Sequence, residues 1–462
     1  MKRILFLRAI DPINEVASRY PGLGLAYLVS ALRAHFGDDH FEFKIIEGGT
    51  YASVKKEILS FKPDVVGIST ISQEYNVAKD YVSFCKGEGI PVIMGGIHIT
   101  MLPESLLKDV ELACLGEAER TIVDIFELYE REGCFDKASL ANIKGIIFTD
   151  EDGKLVETEM QPLIAELDDI RMPARDLLNI AKHSYIFSSR GCPYKCTFCA
   201  STRFWDKVRL FSAEYVVREI KELYEKYDVR LISFFDDLFI INKSRLAEIA
   251  QLLKKEGLHG KIKYFCSCRA NLVNDEVAAL LKEIGVVSVG LGLESGCERT
   301  LKFLKGSSIN VEHNRNAVVT LKKHGIAINA SFVIGSPDET EAEMMETYRF
   351  IKSVPLYLID IYVLTPLPGT PIWEYALERG LVSNDMDWTR LNVNFFENHR
   401  NAIIVSERYD HDELYRIYKK FRRLRFFVNA KNILRSPFVH DLPRYIRSVI
   451  GSWITSIFKQ KR

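Results

Sequence analysis

The segment Ser188-Ser189-Arg190-Gly191-Cys192-Pro193-Tyr194-Lys195-Cys196-Thr197-Phe198-Cys199 constrains this chain more than any other, because C-x3-C-x2-C brings three thiolates into one short loop. A metal centre that needs four ligands is left with one position open. A cubane iron–sulfur cluster held by three thiolates has one iron without a protein ligand, and such an iron can hold a substrate or cofactor while passing it an electron. The alternative is a structural zinc site completed by a histidine such as His183, although zinc sites usually pair their cysteines across two knuckles. Tyr185 to Ser189 reads as a strand running straight into the loop, which puts the metal centre at a strand end.

Composition narrows the setting. The chain has 462 residues, 47% of them hydrophobic, and a formal net charge of zero, which suits a protein of more than one domain with sizeable cores. Nine cysteines, with no signal peptide ahead of Met1-Lys2-Arg3-Ile4-Leu5-Phe6, argue against a disulfide framework and for a reducing cytoplasm. Oxygen would destroy a cluster of this kind, so an anaerobic or well-protected cell is expected. No apolar run reaches the roughly eighteen residues that would span a bilayer. The remaining six cysteines are expected to be small buried hydrophobes. Cys266 and Cys268 project to one face of a strand and are read as structural.

Strands and helices alternate along the first part. Lys2 to Arg8, Phe43 to Glu47, Val65 to Thr70, Val92 to Gly95 and Leu112 to Leu115 are apolar strands. Helical spacing runs from the Pro21-Gly22-Leu23-Gly24-Leu25 opening through His35, and again over Ser53 to Phe61 and Val77 to Lys86. Near-continuous apolar strands alternating with helices predict a doubly wound α/β domain with its ligand at the carboxyl ends of the strands. Gly133 to Asp176 reads as a polar surface linker with a hairpin around Asp150-Glu151-Asp152-Gly153. Further strands at Leu231 to Phe235, Lys263 to Ser267, Val286 to Leu293, Ile328 to Ile334 and Ile359 to Thr365 alternate with helices, giving with Tyr185 to Ser189 six β/α units of an open, partial barrel. Reactive groups of such barrels sit on the loops after the strands.

These motifs together resemble the cobalamin-binding-domain radical S-adenosylmethionine (SAM) enzyme family, over about Lys2 to Tyr375. The resemblance implies an N-terminal doubly wound, Rossmann-like cobalamin domain (1–135), a linker (136–180), a radical SAM core built as a partial (β/α)6 TIM-like barrel (181–380) and a basic, mostly helical C-terminal region (381–462). It implies that Cys192, Cys196 and Cys199 bind a four-iron four-sulfur (4Fe-4S) cluster, with Phe198 as the aromatic usual between the last two cysteines. The open iron would chelate SAM, and one electron would cleave it to a 5′-deoxyadenosyl radical. Asp236 and Asp237 would face the SAM amino group and the substrate. Arg269 could pair with the SAM carboxylate, a task that suits a guanidinium fork. Glu294, with Ser295, would meet the ribose hydroxyls, and Val333 and Gly335 belong to the segment that packs along adenine. Pro91 to Thr100 and Leu115-Gly116-Glu117-Ala118-Glu119 resemble the cobalamin-binding pattern, implying contacts from Ser69, Ser72, Gly95, Gly96, Ile97, His98, Gly116 and Glu117. The Asp-x-His-x-x-Gly segment that ligates cobalt from below in several relatives has no counterpart, so a histidine ligand is not expected. His98 is read as a loop residue contacting the corrin periphery or satisfying backbone.

Both cofactors together imply methylation of an unactivated carbon, with one SAM renewing the methyl group on cobalamin and another forming the radical. A radical cyclisation or rearrangement without net methyl transfer is the alternative within enzymes, and a cofactor-binding sensor is the alternative outside them. The expected partners are a small-molecule or lipid-like substrate and an electron donor such as flavodoxin or ferredoxin; nucleic acid is not expected. After Trp388 basic residues dominate: Lys419, Lys420, Arg422, Arg423, Arg425, Lys431, Arg435, Arg444, Arg447, Lys459, Lys461 and Arg462 face almost no acids in the sequence. With Val449, Ile450, Trp453, Ile454, Ile457 and Phe458 at helical spacing, the last helix is expected either to pack on the barrel or to give a cytoplasmic protein a peripheral contact with the inner face of the membrane.

Overall fold

The computed structural model describes residues 1–10, 21–391, 395–396 and 399–433. The chain divides into two compact units. The first comprises Met1–Pro193, Cys199–Arg230 and Leu367–Leu391, and the second Tyr194–Phe198, Leu231–Pro366 and the described residues beyond 391.

In the first unit, Lys2–Arg8 (β1), Phe41–Ile46 (β2), Val65–Ser69 (β3), Val92–Gly95 (β4) and Leu112–Cys114 (β5) pair in parallel in the order β2-β1-β3-β4-β5. The strands read as apolar runs because helices cover both faces. Ile4, Phe6, Val65 and Ile93 form one core with Leu25, Val29 and Leu32 of helix Leu23–Phe36 and with Ile122, Ile125 and Phe126 of helix Glu119–Glu132. This order reverses direction between β1 and β3, which makes the carboxyl ends of the strands the binding edge.

The segment expected as a polar linker is partly built into this unit. Ile146–Thr149 (β6) and Leu155–Glu157 (β7) extend the sheet with antiparallel pairing. Ile164, Leu167, Ile170, Ala174 and Leu178 are buried, and Arg175 pairs with Glu219 at 2.5 Å with both side chains out of solvent. Polarity by count concealed these spaced apolar anchors.

The strand expected at Tyr185 to Ser189 divides into His183–Ile186 (β8) and Ser189–Arg190 (β9). The latter pairs antiparallel with Arg209–Leu210 (β10) on the far side of the cysteine loop. The second unit continues the series with five parallel strands, Leu231–Phe234 (β11), Lys263–Cys268 (β12), Val286–Glu294 (β13), Ala327–Ile334 (β14) and Leu358–Val363 (β15), each paired with the next. Connecting helices begin at Asn242, Asn274, Asn310 and Thr340, whose side chains accept from the backbone N–H three residues on. Such caps satisfy donors that the first turn leaves open and fix where each loop stops.

Helix His411–Ile433 closes the second unit and corrects the expectation that its basic residues lack acids. Lys420 and Arg416 pair with Glu341 at 2.7 and 3.1 Å, and Arg425 pairs with Asp360 at 2.8 Å. These partners are distant in sequence. The amphipathic stripe from Val449 to Phe458 lies outside the described residues.

Candidate functional site

The cysteine loop is held at a narrow neck. Gly191 has φ +90°, and a Cβ there would lie 2.5 Å from the Lys207 carbonyl oxygen, so the entering and leaving strands approach as only glycine permits. Within the second unit, Thr197 N donates to the Leu304 carbonyl at 3.0 Å. Buried Arg269 points Nη1 at Cys196 Sγ (3.5 Å), donates through Nη2 to the Lys305 carbonyl and Ser308 Oγ (3.1 Å each), and lies 3.8 Å over the Tyr194 ring. The fork expected to meet a SAM carboxylate also holds this loop, while Nε has no hydrogen-bond partner among the described residues. Among the described residues no three His, Cys, Asp or Glu converge closely enough to hold a single metal ion. A cubane instead takes each thiolate on a different iron, and the three-thiol donor set fits it. Cys266 and Cys268 lie in the second unit. Their sulfurs are 3.9 Å from each other in the core, where burial pushes the Cys266 thiol well above its ordinary pKa.

The other strand ends of the second unit carry buried charge. Asp236 is buried after β11, while Asp237 is exposed; burial lowers the pKa of Arg245, a shift the charge of Asp236 only partly offsets. Glu294 ends β13 with φ +58°, a left-handed conformation unusual outside glycine. Burial raises its pKa against the pull of Lys305, whose Nζ lies 3.7 Å from Oε1, and of Arg269. Lys305 also donates to the Gly292 carbonyl. It was missed in the sequence because helix Glu298–Lys305 between β13 and the next long helix was not recognised, although Leu301 and Leu304 have helical spacing. Ser295 is fully buried, shares a hydrogen bond with Thr347 Oγ1 at 2.9 Å and accepts from Cys297 N at 3.1 Å, which props the turn. Val333 is buried in β14. The turn after it is tied by Glu339, which accepts from Gly335 N (2.8 Å) and Ser336 N (3.1 Å) and whose pKa burial raises to about 7.

In the first unit the ends of β3, β4 and β5 form a half-exposed floor. Ser69 stands opposite Gly95, Thr70 N donates to the Gly95 carbonyl at 3.2 Å, and Gly116 N donates to Thr100 Oγ1 at 3.0 Å. Gly96 has φ +100°, and a Cβ on it would meet the Thr70 oxygen at 2.5 Å. Ser69, Gly95, Gly96, Ile97 and Gly116 are all partly exposed, a surface nearly without side chains that suits a flat ligand.

Three of the residues expected to contact the corrin, Ser72, His98 and Glu117, are buried. His98 begins no loop: it lies in the short helix Ile97–Met101 with no exposed surface. Its Nδ1 shares a hydrogen bond with Ser72 Oγ (3.1 Å) and its Nε2 with Ser105 Oγ (3.2 Å), and the Tyr75 and Trp388 rings lie at 3.9 and 4.5 Å. Burial lowers its pKa to about 3. Both nitrogens are engaged with serine hydroxyls, which packs His98 and Ser72 inside the first unit. Glu117 is likewise buried, accepting from Ile164 N at 3.0 Å and from the guanidinium groups of Arg190 and Arg209. Burial alone would raise its pKa, but Arg209 and Arg190 outweigh burial and hold it below the ordinary value.

Known proteins resemble this chain in sequence and in fold. A sequence profile of the Radical SAM superfamily matches residues 186–351, and one of the B12 binding domain matches residues 11–126. An uncharacterised methyltransferase of Pyrococcus horikoshii is 31% identical over 97% of this chain and 99% of its own. The anaerobic magnesium-protoporphyrin IX monomethyl ester cyclase of Rubrivivax gelatinosus is 27% identical over 97% of this chain and 81% of its own. The radical SAM methyltransferase TsrM of Kitasatospora setae, solved with cobalamin and a 4Fe-4S cluster, has the same fold, with a TM-score of 0.66 at 18% identity over 83% of this chain and 76% of that one.

Proposed function

Because the chain belongs to the cobalamin-binding radical SAM enzyme family, we propose that it methylates an unactivated carbon of a small, apolar or lipid-like molecule. It is a radical SAM enzyme, and its cofactors are a 4Fe-4S cluster, SAM and cobalamin. The observation that carries the proposal is the presence in one chain of the three-thiol loop and a half-exposed, glycine-rich floor at the ends of β3 to β5. When bound, the cluster supplies the electron that cleaves SAM to a 5′-deoxyadenosyl radical, and cobalamin supplies the methyl group.

The residues then divide the work. Cys192, Cys196 and Cys199 hold the cluster, with Arg269 fixing the Cys196 turn and Phe198 shielding it. Glu294, whose charge is opposed by burial and sustained by Lys305, accepts from the ribose hydroxyls. Gly335 and Val333 present backbone and apolar surface to adenine, with Glu339 keeping the Gly335 turn closed. Ser69, Gly95, Gly96, Ile97 and Gly116 bear the corrin. Residues 1–135 and 181–380 are the corrin-binding and SAM-cleaving parts in this reading, with 136–180 tying them in sequence and 381–462 appended.

Cyclisation without net methyl transfer is the second reading, favoured by the likeness to the Rubrivivax cyclase over nearly the whole chain. Anaerobic incubation of the reconstituted enzyme with methyl-deuterated SAM and extract of its host decides between them. A trideuteromethylated product that requires cobalamin is expected. Hydrogen abstraction yielding a product without the label would contradict methylation.

An electron donor of the flavodoxin or ferredoxin type supplies the reducing electron in this reading. No described helix is long and apolar enough to cross a membrane. We place the protein in the cytoplasm, with its basic C-terminal segment against the anionic inner face of the membrane, because apolar residues at helical spacing alternate there with lysine and arginine. Co-sedimentation with liposomes should require anionic lipid, weaken with salt, and be lost on truncation after Arg447. Binding unchanged by that truncation would refute the membrane role.

A further inference from the structure

The neck of the cysteine loop and the floor of the corrin site share one carboxylate. Arg190 enters the loop, Arg209 leaves it, and the two stand directly opposite each other in the β9–β10 ladder. Like charges so placed repel and need a counter-ion. Glu117 supplies it. Its Oε1 accepts from Arg190 Nη1 at 2.5 Å and Arg209 Nη2 at 2.9 Å, and its Oε2 from Arg209 Nη1 at 2.7 Å. Glu119 takes the other arm of Arg190 at 2.5 Å, and the Arg190 and Arg209 guanidinium groups lie over the Trp205 ring, 5.4 and 5.3 Å from its centroid. All three members of the central triad are at least nine-tenths buried, so water cannot replace a lost partner.

Glu117 is also the residue next to Gly116, whose backbone forms part of the half-exposed floor. A ligand seated on that floor restrains the backbone from which the Glu117 carboxylate reaches the neck. A cluster that closes the loop fixes the two arginines and, through them, the same backbone. From this geometry we infer that Glu117 is a positioning residue that couples corrin occupancy to the cluster-bearing loop, an inference that rests on the cofactor reading above. Such coupling is reciprocal: whatever the cluster adds to corrin affinity, the corrin adds to cluster retention.

The test is equilibrium titration of the full chain with hydroxocobalamin, before and after anaerobic reconstitution of the cluster, with the dissociation constant read from the corrin visible spectrum. Wild type should bind about tenfold more tightly with the cluster in place, within the usual span of allosteric coupling. In Glu117→Gln the two constants should come within about twofold of each other. The pair Glu117→Gln with Arg209→Gln removes both charges and should give the same collapse, which keeps the test decisive if the single variant does not fold. Equal constants in wild type would overturn the inference. So would a Glu117→Gln protein that melts earlier yet keeps the tenfold ratio, because the knot would then be structural alone. Failure of wild type to bind the corrin in either form would overturn the cofactor reading itself, an outcome distinct from binding without coupling.

Discussion

His98 and Glu339 are buried titratable side chains whose burial works in opposite directions with pH. His98 has its pKa lowered from 6.5 to about 3, so the unfolded chain binds more protons between those values. Its neutral form gives full stability above pH about 6.5, and that contribution drains away as pH falls toward 3, by about 1.4 kcal/mol per unit. Glu339 has its pKa raised from 4.5 to about 7, so the native chain binds the extra proton. Its contribution is complete below pH about 4.5 and is lost as pH rises through 7. Between pH 4.5 and 6.5 the two contributions therefore oppose each other on acidification, the His98 one falling and the Glu339 one rising, as thermal unfolding reads them. His98→Gln should flatten the first trend and Glu339→Gln the second; trends indifferent to both substitutions would refute these assignments. The serine-locked imidazole also leaves no nitrogen for cobalt, so electron paramagnetic resonance of the cob(II)alamin form should lack splitting from a protein nitrogen. Splitting that vanishes in His98→Ala would be the contrary result. The missing cobalt-ligand motif was legible in the sequence, but the site of His98 was not. Gly96, with its positive φ, opens a short helix that turns the ring inward toward Ser72 and Ser105, partners set by the fold.

At the scale of elements, β15 ends the order of the sheet and would expose unpaired backbone along its edge. Helix His411–Ile433 covers it. Asn429 accepts from Ile359 N at 2.8 Å and donates to the Ile359 carbonyl at 3.1 Å, imitating a neighbouring strand, and Asn432 donates to the Tyr357 carbonyl at 2.9 Å. Such cover prevents edge-to-edge pairing. Asn429→Ala should therefore cost about 1–3 kcal/mol for each buried group left unpaired and promote aggregation, as read by urea unfolding and light scattering. A change below about 0.5 kcal/mol with no scattering would show that the edge is not protected this way. The parallel strands were legible because burial on both faces leaves apolar runs, and the long helices because their N-caps precede apolar periodicity. The β9–β10 ladder was not, since a two-residue pairing across an intervening loop leaves no local pattern. The fork of Arg269 was legible in the sequence, but Cys196, Lys305 and Ser308 around it were not, because they are distant in the chain and brought there by the fold.

At the scale of the molecule, the first unit offers a nearly side-chain-free floor and the second an array of buried charge at its strand ends. The cysteines, the glycine pair and the Glu-Ser-Gly turn made both cofactor classes legible. The substrate was not, because no local motif encodes the shape of an apolar pocket. Methylation consumes SAM in two ways: one molecule gives 5′-deoxyadenosine through the radical, and another gives S-adenosylhomocysteine by renewing the methyl group. The most direct test is to quantify these two products from the anaerobic, fully reconstituted enzyme turning over on host extract. The account requires them to accumulate in equal amounts and in step with methylated product. Accumulation of 5′-deoxyadenosine with substrate conversion but without S-adenosylhomocysteine would contradict it.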